Sequence, residues 1–222
     1  AFDSNWIAPL GPNVTKFEKE LAQYTNSKGA SLTSSGTAAI HLALACLGVG
    51  KGDSVFCSSF TFIASANPAL YLGAELTFID SEPNSWNMSP QALERALCDA
   101  SLENRLPKAI IVVNLYGQSA DMEKLLEIAD LFGVPIIEDA AESLGAEYKH
   151  KKSGTFGKIG IYSFNGNKII TTSGGGALVS DDEEMLSKAS FLATQAKDVA
   201  PYYQHSLVGY NYRMSNVLAG IG

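Results

Sequence analysis

Short hydrophobic runs rich in β-branched residues alternate along the chain with longer segments in which apolar residues recur at helical spacing. The short runs predict β-strands and the longer segments predict α-helices. The predicted strands are GASLTSS, DSVFCSS, AELTFID, KAIIVVN and VPIIEDA, and the predicted helices are GTAAIHLALACLGV, TFIASANPALYLG, SPQALERALCDA and SADMEKLLEIADLFG. Strict alternation of the two element types predicts βαβ units, and therefore an α/β fold with a mainly parallel sheet.

The pattern changes after Gly145. Three short runs, KIGIYSF, KIITT and GGALVS, are separated by glycine and asparagine turns, which predicts short strands and at least one antiparallel pairing. The segment DDEEMLSKASFLATQAK then predicts another helix, with its acidic residues at the positive end of the helix dipole. Residues 54–74 carry no charge, but hydroxyl, asparagine, proline and glycine residues interrupt them. We interpret them as a buried strand and helix and predict no membrane span.

Composition narrows the class of protein. The chain has 222 residues, of which 46% are hydrophobic and 18% charged, so it can bury a large core, and we expect one domain over residues 1–222. A net charge of -7 disfavours nonspecific binding to nucleic acid or an anionic membrane. Three cysteines without a CxxC pattern favour a reducing compartment and no structural zinc, and we interpret them as small buried hydrophobic residues.

The two ends of the sequence suggest where the protein acts and what else it contains. No basic segment followed by an apolar core is present at the start, so we predict no signal peptide and a cytoplasmic location. The chain begins at Ala1 and stops within the helical pattern SNVLAGIG, which has no terminating residue. We therefore expect it to be part of a longer protein.

Ligands of open α/β sheets bind beyond the carboxyl ends of the strands, and the segment TSSGTAA lies at such an end. Here a predicted strand leads through Ser35, Gly36 and Thr37 into a helix, whose free backbone N–H groups could bind a phosphate. Ordinary N-capping by a hydroxyl explains the same residues, and it is the favoured reading of this segment alone. The later segment GVGKGD lacks the GxGxxG spacing of a dinucleotide-binding site.

A pair of carboxylates, Glu138 and Asp139, ends the strand VPIIEDA. Successive strand residues point to opposite faces, so one carboxylate can face a pocket while the other faces solvent or a structural partner. A buried carboxylate needs a partner that offsets its desolvation, and a protonated heterocyclic nitrogen would serve. A helix-capping or salt-bridging role is equally compatible with the sequence.

Lys168 is the only charged residue between Ile159 and Ser180. It either extends to the surface or is a partly desolvated amine that can bond covalently to a carbonyl compound, and the sequence leaves both open. A phosphate site at a helix start, a carboxylate for a ring nitrogen and a nucleophilic lysine are together the three anchors of pyridoxal 5'-phosphate. We therefore predict that cofactor.

Several motifs resemble the DegT/DnrJ/EryC1/StrS sugar aminotransferases, a family of fold type I pyridoxal phosphate enzymes. The motifs are SNWIAPLGPNV, SSGTAAIHLAL, FTFIASANP, NLYGQSADM, IIEDAAESLGAEYKHKKSGTFGKIGIYSFNGNKIITTSGGGALV and GYNYRMSNVLAGIG, and they cover nearly the whole chain. The resemblance implies a three-layer αβα sandwich that forms the large, cofactor-binding domain. It also implies that the family's C-terminal small domain lies outside this sequence.

The resemblance assigns roles to residues around the cofactor ring. Lys168 would bind the cofactor covalently and transfer protons, and Asp139 would hold the ring nitrogen protonated. Phe62 would stack on the ring, and Glu142 would lie near its hydroxyl group. From the sequence alone, Phe62 cannot be distinguished from Phe60.

The resemblance also assigns residues to the cofactor phosphate. Those within one subunit are Ser35, Gly36, Thr37 and Ser163. Asn211 and Arg213 would reach the phosphate of the neighbouring subunit's cofactor, which implies a homodimer with shared active sites.

The implied reaction moves an amino group from L-glutamate to a nucleotide-linked 4-keto-6-deoxy sugar, as in cell-surface polysaccharide biosynthesis. Lys168 occupies the position where the related sugar dehydratases have histidine, which favours transamination. The alternatives are a pyridoxal phosphate-dependent dehydratase or lyase, and a cofactor-binding regulatory or truncated module without turnover. A dinucleotide-binding domain is disfavoured because the glycine fingerprint is absent.

Overall fold

The computed structural model describes residues 1–222. Its nine strands, in chain order, are β1 (Gly29–Thr33), β2 (Ser54–Ser58), β3 (Glu75–Ile79), β4 (Ala109–Val113), β5 (Ile136–Asp139), β6 (Glu147–Tyr148), β7 (Lys151–Lys152), β8 (Ile159–Ser163) and β9 (Gly176–Ser180). Seven of them form one sheet in the order β1-β9-β8-β5-β4-β2-β3, and β6 and β7 form a separate hairpin.

Seven α-helices surround the sheet. They are α1 (Pro12–Thr25), α2 (Gly36–Cys46), α3 (Ile63–Tyr71), α4 (Pro90–Leu102), α5 (Met122–Leu131), α6 (Glu183–Ala193) and α7 (Asn216–Ala219). None of these helices combines the length and the apolar character that a membrane crossing requires.

The helices form two layers with the sheet between them. Side chains of α2, α3 and α6 form one apolar core with the sheet, in which Leu42 and Leu44 are fully buried. On the opposite face, α4 and α5 form a second core around Leu93 and Met122, and α1 packs a third around Phe17. This arrangement is the predicted three-layer αβα sandwich.

Strand β9 brings two distant parts of the chain together. Strands β2, β3, β4, β5 and β8 are parallel, whereas β9 pairs antiparallel with both β1 and β8. Gly176, at the start of β9, is in register with Thr33 at the end of β1 and with Ser163 at the end of β8. The carboxyl ends of β1 and β8 therefore lie on either side of Gly176, and the expected antiparallel strand is present.

Helix α1 and the hairpin of β6 and β7 were not among the predicted elements, and two predictions were wrong. The segment KIITT is not a strand, because both edges of β8 are already paired, with β5 and β9. It forms instead a loop closed by hydrogen bonds from Thr172 N to Phe164 O and from Phe164 N to Gly175 O. In addition, Cys98 is exposed on α4, while Cys57 is buried as predicted and Cys46 is half-buried. Cys98 was predicted to be buried because alanine and leucine residues surround it in the sequence, but it lies on the outer face of the helix.

Candidate active site

A cavity of about 750 Å³ opens at the carboxyl ends of the parallel strands. Eight of the ten predicted site residues line it, namely Ser35, Gly36, Thr37, Phe62, Asp139, Glu142, Ser163 and Lys168. The other two, Asn211 and Arg213, are not among the lining residues. The cavity thus gathers predicted site residues that are up to 133 positions apart in the chain, from Ser35 to Lys168.

One corner of the cavity is the start of α2. Ser35 is its N-cap, and its hydroxyl accepts a hydrogen bond from the Ala38 backbone N–H at 3.0 Å. The N-capping role that the sequence suggested for this segment is therefore confirmed for Ser35. It is compatible with anion binding, because the N–H groups of Gly36 and Thr37 lie in the first turn and have no intrahelical acceptor. The partial positive charge of the helix end also favours an anion there.

Two glycines, Gly36 and Gly176, let the backbone pack closely at this corner. A Cβ atom on Gly36 would lie 3.1 Å from Cβ of Ser163. A Cβ atom on Gly176 would lie 2.5 Å from the Gly36 nitrogen, well inside contact distance. Two glycines therefore allow the Ser163 hydroxyl to approach the helix start, where it can share an anion with the backbone N–H groups.

The floor of the cavity carries Asp139, which is only 5% exposed. Its Oδ2 accepts a hydrogen bond from Ser65 Oγ at 2.6 Å, and its Oδ1 accepts one from Ala141 N at 3.2 Å. Burial raises the pKa of the Asp139 carboxyl, and the two hydrogen bonds and the charge of Lys168 oppose that rise. A cationic ring N–H inside the cavity would oppose it further.

The neighbouring carboxylate, Glu138, points to the other side of the sheet and is fully buried. Oε1 accepts hydrogen bonds from Asn114 Nδ2 at 2.8 Å and Gly154 N at 2.6 Å, and Oε2 accepts one from Phe156 N at 2.8 Å. Strand alternation thus gives the two acids separate tasks: Asp139 faces the cavity and Glu138 anchors a loop.

Lys168 is an inward-facing lysine, since only 12% of its side chain is exposed. Its Nζ lies 3.5 Å from Glu142 Oε1. The backbone N–H of Lys168 donates to Asn165 O at 3.1 Å, which holds the turn that carries the side chain. Of the two readings left open by the sequence, the structure favours the partly desolvated amine over the surface lysine.

Glu142 contacts a second group at the rim of the cavity. Its Oε2 accepts a hydrogen bond from the backbone N–H of Tyr116 at 2.9 Å. Tyr116 has φ of 50°, a conformation that residues other than glycine seldom adopt, and its side chain is exposed at the rim. One carboxylate therefore holds both the lysine amine and an unusual backbone turn.

Two phenylalanines line the cavity on the side of α3. Phe62 is the N-terminal flanking residue of that helix and is 71% exposed, and Phe60 is 42% exposed. Phe60 packs edge-on against Tyr116, with ring centroids 6.3 Å apart. Phe62, unlike Phe60, has no aromatic neighbour within the chain, so it is the freer of the two to face a bound ring.

Asn211 and Arg213 lie on an extended segment outside the cavity. Asn211 is exposed, and its Oδ1 accepts from Gln195 Nε2 at 3.1 Å. Arg213 is inside the subunit, because its Nη1 donates to Glu18 Oε1 at 2.8 Å and to Leu32 O at 3.1 Å. Only 7% of the Arg213 side chain is exposed. The charge of Arg213 is therefore paired with Glu18 on α1, whereas the Asn211 side chain is at the surface.

Thr61 and Ser65 are among the hydroxyl residues that line the cavity without having been predicted from the sequence. Ser65 donates to Asp139, and its Oγ lies 2.7 Å from Thr61 Oγ1. The spacing of Ser65 could have pointed to it. Ser65 follows the predicted Phe62 by three positions, and residues three apart lie on the same face of a helix.

These groups fit pyridoxal phosphate. The helix start with Ser163 can hold the phosphate, and the buried Asp139 has no cationic partner within 4.0 Å and can accept a hydrogen bond from a ring nitrogen. Lys168 carries an inward-facing amine of the kind that could react with the cofactor aldehyde. This combination, on a mainly parallel sheet between two helical layers, defines the cofactor-binding domain of a fold type I pyridoxal phosphate enzyme.

The chain belongs to the DegT/DnrJ/EryC1/StrS aminotransferase family, which it matches over residues 1–222. It is 64% identical over 222 residues to the "Putative pyridoxal phosphate-dependent aminotransferase EpsN" of Bacillus subtilis (strain 168), covering all of this chain and 57% of that relative. It is 42% identical over 220 residues to the GDP-perosamine synthase of Caulobacter vibrioides, covering 99% of this chain and 58% of that enzyme.

A solved structure of a member of this family has the same fold. The crystal structure of a DegT DnrJ EryC1 StrS aminotransferase from Brucella abortus superimposes with a TM-score of 0.93 at 36% sequence identity, covering 99% of this chain and 59% of that one. The predicted family, the fold class and pyridoxal phosphate as the cofactor of the family are therefore confirmed. The chain spans less than two thirds of the length of these relatives.

Proposed function

We propose that this chain is the cofactor-binding domain of a pyridoxal phosphate-dependent aminotransferase that acts on a nucleotide-linked sugar. The observation that carries the proposal is the inward-facing amine of Lys168 in one cavity with Asp139 and the start of α2. A surface lysine or a purely structural carboxylate would not require this grouping. Residues 1–222 then form one domain of a longer protein.

The residues divide the binding task among themselves. The N–H groups at the start of α2, with the hydroxyls of Ser35, Thr37 and Ser163, hold the phosphate. Asp139 accepts a hydrogen bond from the ring N–H and keeps that nitrogen positively charged. Phe62 covers one side of the ring, and Glu142 lies near its hydroxyl group.

Proton transfer is the task of Lys168. The bound cofactor supplies covalent capture of the amino group and an electron sink for the carbanion. Once its amine is free, Lys168 Nζ would accept the proton from the α-carbon of the donor and deliver it to C4′ of the cofactor, and it would carry a proton in the opposite direction when the acceptor is aminated. Glu142 Oε1, 3.5 Å away, keeps the amine directed into the cavity while it carries the charge.

We further propose L-glutamate as the donor and a nucleotide-linked 4-keto-6-deoxy sugar as the acceptor. A lysine at position 168 supports transamination over dehydration, since a dehydratase of this kind would carry histidine there. The similarity to a GDP-perosamine synthase supports a nucleotide-linked sugar as the substrate class.

Two further parts of the proposal are a homodimer and a cytoplasmic location. An exposed segment beside Asn211 supports the dimer, because Tyr203 is 84% exposed and Val208 is 81% exposed. Apolar residues so exposed on one segment are typical of surfaces that bind another protein. The same segment would place Asn211 against the neighbouring subunit.

The proposal can be tested by absorbance spectroscopy on the purified protein with added cofactor. We expect a visible band from lysine-bound cofactor that is lost in Lys168→Ala and kept in the control Lys16→Ala, which changes an exposed lysine. L-glutamate should then convert the cofactor to the pyridoxamine form and release 2-oxoglutarate. Binding without conversion would indicate a module without turnover, and elimination of a sugar hydroxyl would indicate a dehydratase.

A panel of nucleotide-linked keto-sugars identifies the acceptor. The proposal predicts that the pyridoxamine form is consumed by 4-keto-6-deoxy sugars in preference to 3-keto sugars carrying the same nucleotide. Equal or better turnover of the 3-keto compounds would overturn the assignment of the acceptor and leave the aminotransferase assignment intact.

A further inference from the structure

Two hydroxyl groups connect the rim of the cavity to its buried carboxylate. Ser65 is 2% exposed, and its Oγ lies 2.6 Å from Asp139 Oδ2 and 2.7 Å from Thr61 Oγ1. Thr61 is half-buried, and both residues line the cavity. We call Thr61 and Ser65 the hydroxyl pair.

The direction of these hydrogen bonds follows from the number of protons. An ionised carboxylate only accepts, so Ser65 must use its single hydroxyl proton to donate to Asp139. Ser65 can then only accept from its other neighbour, so Thr61 donates to Ser65. Hydrogen bonds connected head to tail in this way polarise one another, and the negative charge of Asp139 benefits from both.

Few other groups stabilise that charge. Apart from Ser65, the only group that donates to the Asp139 carboxylate is the Ala141 N–H, at a longer 3.2 Å. Desolvation disfavours the charged form of a carboxylate so deeply buried. The short bond from Ser65 is therefore the main contact within the chain that favours the ionised form.

The hydroxyl pair also fixes the start of α3. Phe62 precedes the first residue of that helix and its side chain makes no capping hydrogen bond. Thr61 and Ser65 lie on either side of this position, and the hydrogen bond between them spans it. The Ser65 N–H also donates to Phe62 O at 3.0 Å. The same two residues thus orient the carboxylate and hold the backbone that presents Phe62.

We propose that Ser65, supported by Thr61, is a positioning residue that keeps Asp139 ionised and correctly oriented toward the ring nitrogen of pyridoxal phosphate. This inference rests on the proposed function. Without the Ser65 hydroxyl, Asp139 retains one weaker donor and binds a proton more readily. A protonated Asp139 no longer holds a proton on the ring nitrogen, so the ring becomes a poorer electron sink.

Nitrogen-15 NMR of ring-labelled pyridoxal phosphate bound to the protein is the direct test, because its chemical shift reports ring protonation. We expect a protonated ring nitrogen in the wild type and a shift toward the unprotonated position in Ser65→Ala. The dissociation constant of the cofactor should rise about tenfold, as expected for the loss of one hydrogen bond to a charged group. A purely structural role for Ser65 would not change the protonation of the ring.

Three variants control the test. Ser59→Ala removes an exposed hydroxyl near the pair and should match the wild type. Thr61→Val should shift the signal in the same direction as Ser65→Ala but by less, and Thr61→Ser keeps the hydroxyl and should restore the wild-type signal. If Ser65→Ala does not fold, the comparison of Thr61→Val with Thr61→Ser decides the question.

The outcomes separate this inference from the proposed function. If the wild-type protein does not bind pyridoxal phosphate, the proposed function fails. If the wild type binds it with a protonated ring nitrogen, and neither Ser65→Ala nor Thr61→Val changes the signal or the affinity, the proposed function stands and the role of the hydroxyl pair is wrong.

Discussion

The carboxylate of Glu142 lies 3.5 Å from the amine of Lys168. Its second oxygen binds the backbone N–H of Tyr116 at 2.9 Å. Because Tyr116 occupies the left-handed region, this hydrogen bond offsets part of the cost of its backbone conformation. Glu142 therefore connects the proposed catalytic amine to the rim of the cavity, and changes at Glu142 should affect both.

Substitutions at Glu142 should separate these two contacts. Glu142→Gln removes the charge beside Lys168 but keeps an oxygen that can accept from Tyr116, whereas Glu142→Ala removes both interactions. We expect kcat to fall in both variants, by about tenfold or more, as for the loss of a charged contact. Amide hydrogen exchange at Tyr116 should rise strongly only in Glu142→Ala. Equal exchange in the two variants would contradict the proposed anchoring.

Glu138 should be essential for stability although it lies outside the cavity. Both of its oxygens accept from N–H donors, so the amide NH₂ of Glu138→Gln would face a donor and leave it unpaired. We expect the free energy of unfolding to fall by about 2–4 kcal/mol, measured by urea denaturation. Glu127→Gln, a change at an exposed residue of α5, is the control and should have little effect. A Glu138→Gln variant as stable as that control would refute the anchoring role.

Gly176 and Gly174 should respond very differently to alanine. A Cβ on Gly176 would lie 2.5 Å from the Gly36 nitrogen at the start of α2, whereas a Cβ on Gly174 would meet nothing within 4 Å. We expect Gly176→Ala to lower stability by about 2 kcal/mol or more and to weaken binding of phosphate-containing ligands. Gly174→Ala should leave stability unchanged. Thermal unfolding and cofactor titration measure both effects, and similar behaviour of the two variants would argue against the packing described at this corner.

The three cysteines should differ in reactivity toward a thiol reagent. Burial raises the pKa of Cys46 to about 11 and that of Cys57 to about 12, so at about pH 8 both remain protonated in the folded protein. Cys98 is exposed. We expect one thiol to react rapidly with Ellman's reagent in the native protein, none in Cys98→Ser, and all three in denaturant for the wild type. Rapid reaction of Cys57 in the native protein would show that its core opens readily.

The sequence predicted most of the sheet and its helices because short apolar runs such as AIIVV alternate with longer apolar or amphipathic segments, with turn residues between them. It also singled out Lys168 and the pair Glu138 and Asp139 as candidates, since a lone charge in an uncharged segment and acids at a strand end are local features, and the fold shows that Asp139 is the one facing the cavity. Helix α1 was missed although Val14, Phe17 and Leu21 recur at helical spacing after Pro12, so the signal for it was present in the sequence. Ser65 was not predicted, because its role depends on a hydrogen bond to Asp139, which is 74 positions away in the chain.

Arg213 illustrates a different limit. A motif can indicate that an arginine lies near a subunit boundary, but its direction depends on which acid is nearest in space. Glu18, 195 positions earlier, takes that charge into the subunit. Such long-range ion pairs have no signature in a single sequence, so this contact of Arg213 could not be predicted, and the role that the resemblance assigns to Arg213 stays a prediction.

The central claim is that the Lys168 amine binds pyridoxal phosphate covalently. The most direct measurement is reduction of the cofactor-loaded protein with sodium borohydride, followed by proteolysis and mass spectrometry of the peptides. We predict that the phosphopyridoxyl group is found on the peptide that contains Lys168, and at that residue alone. A label on another lysine, or no label in a protein that is folded and saturated with cofactor, would contradict the account.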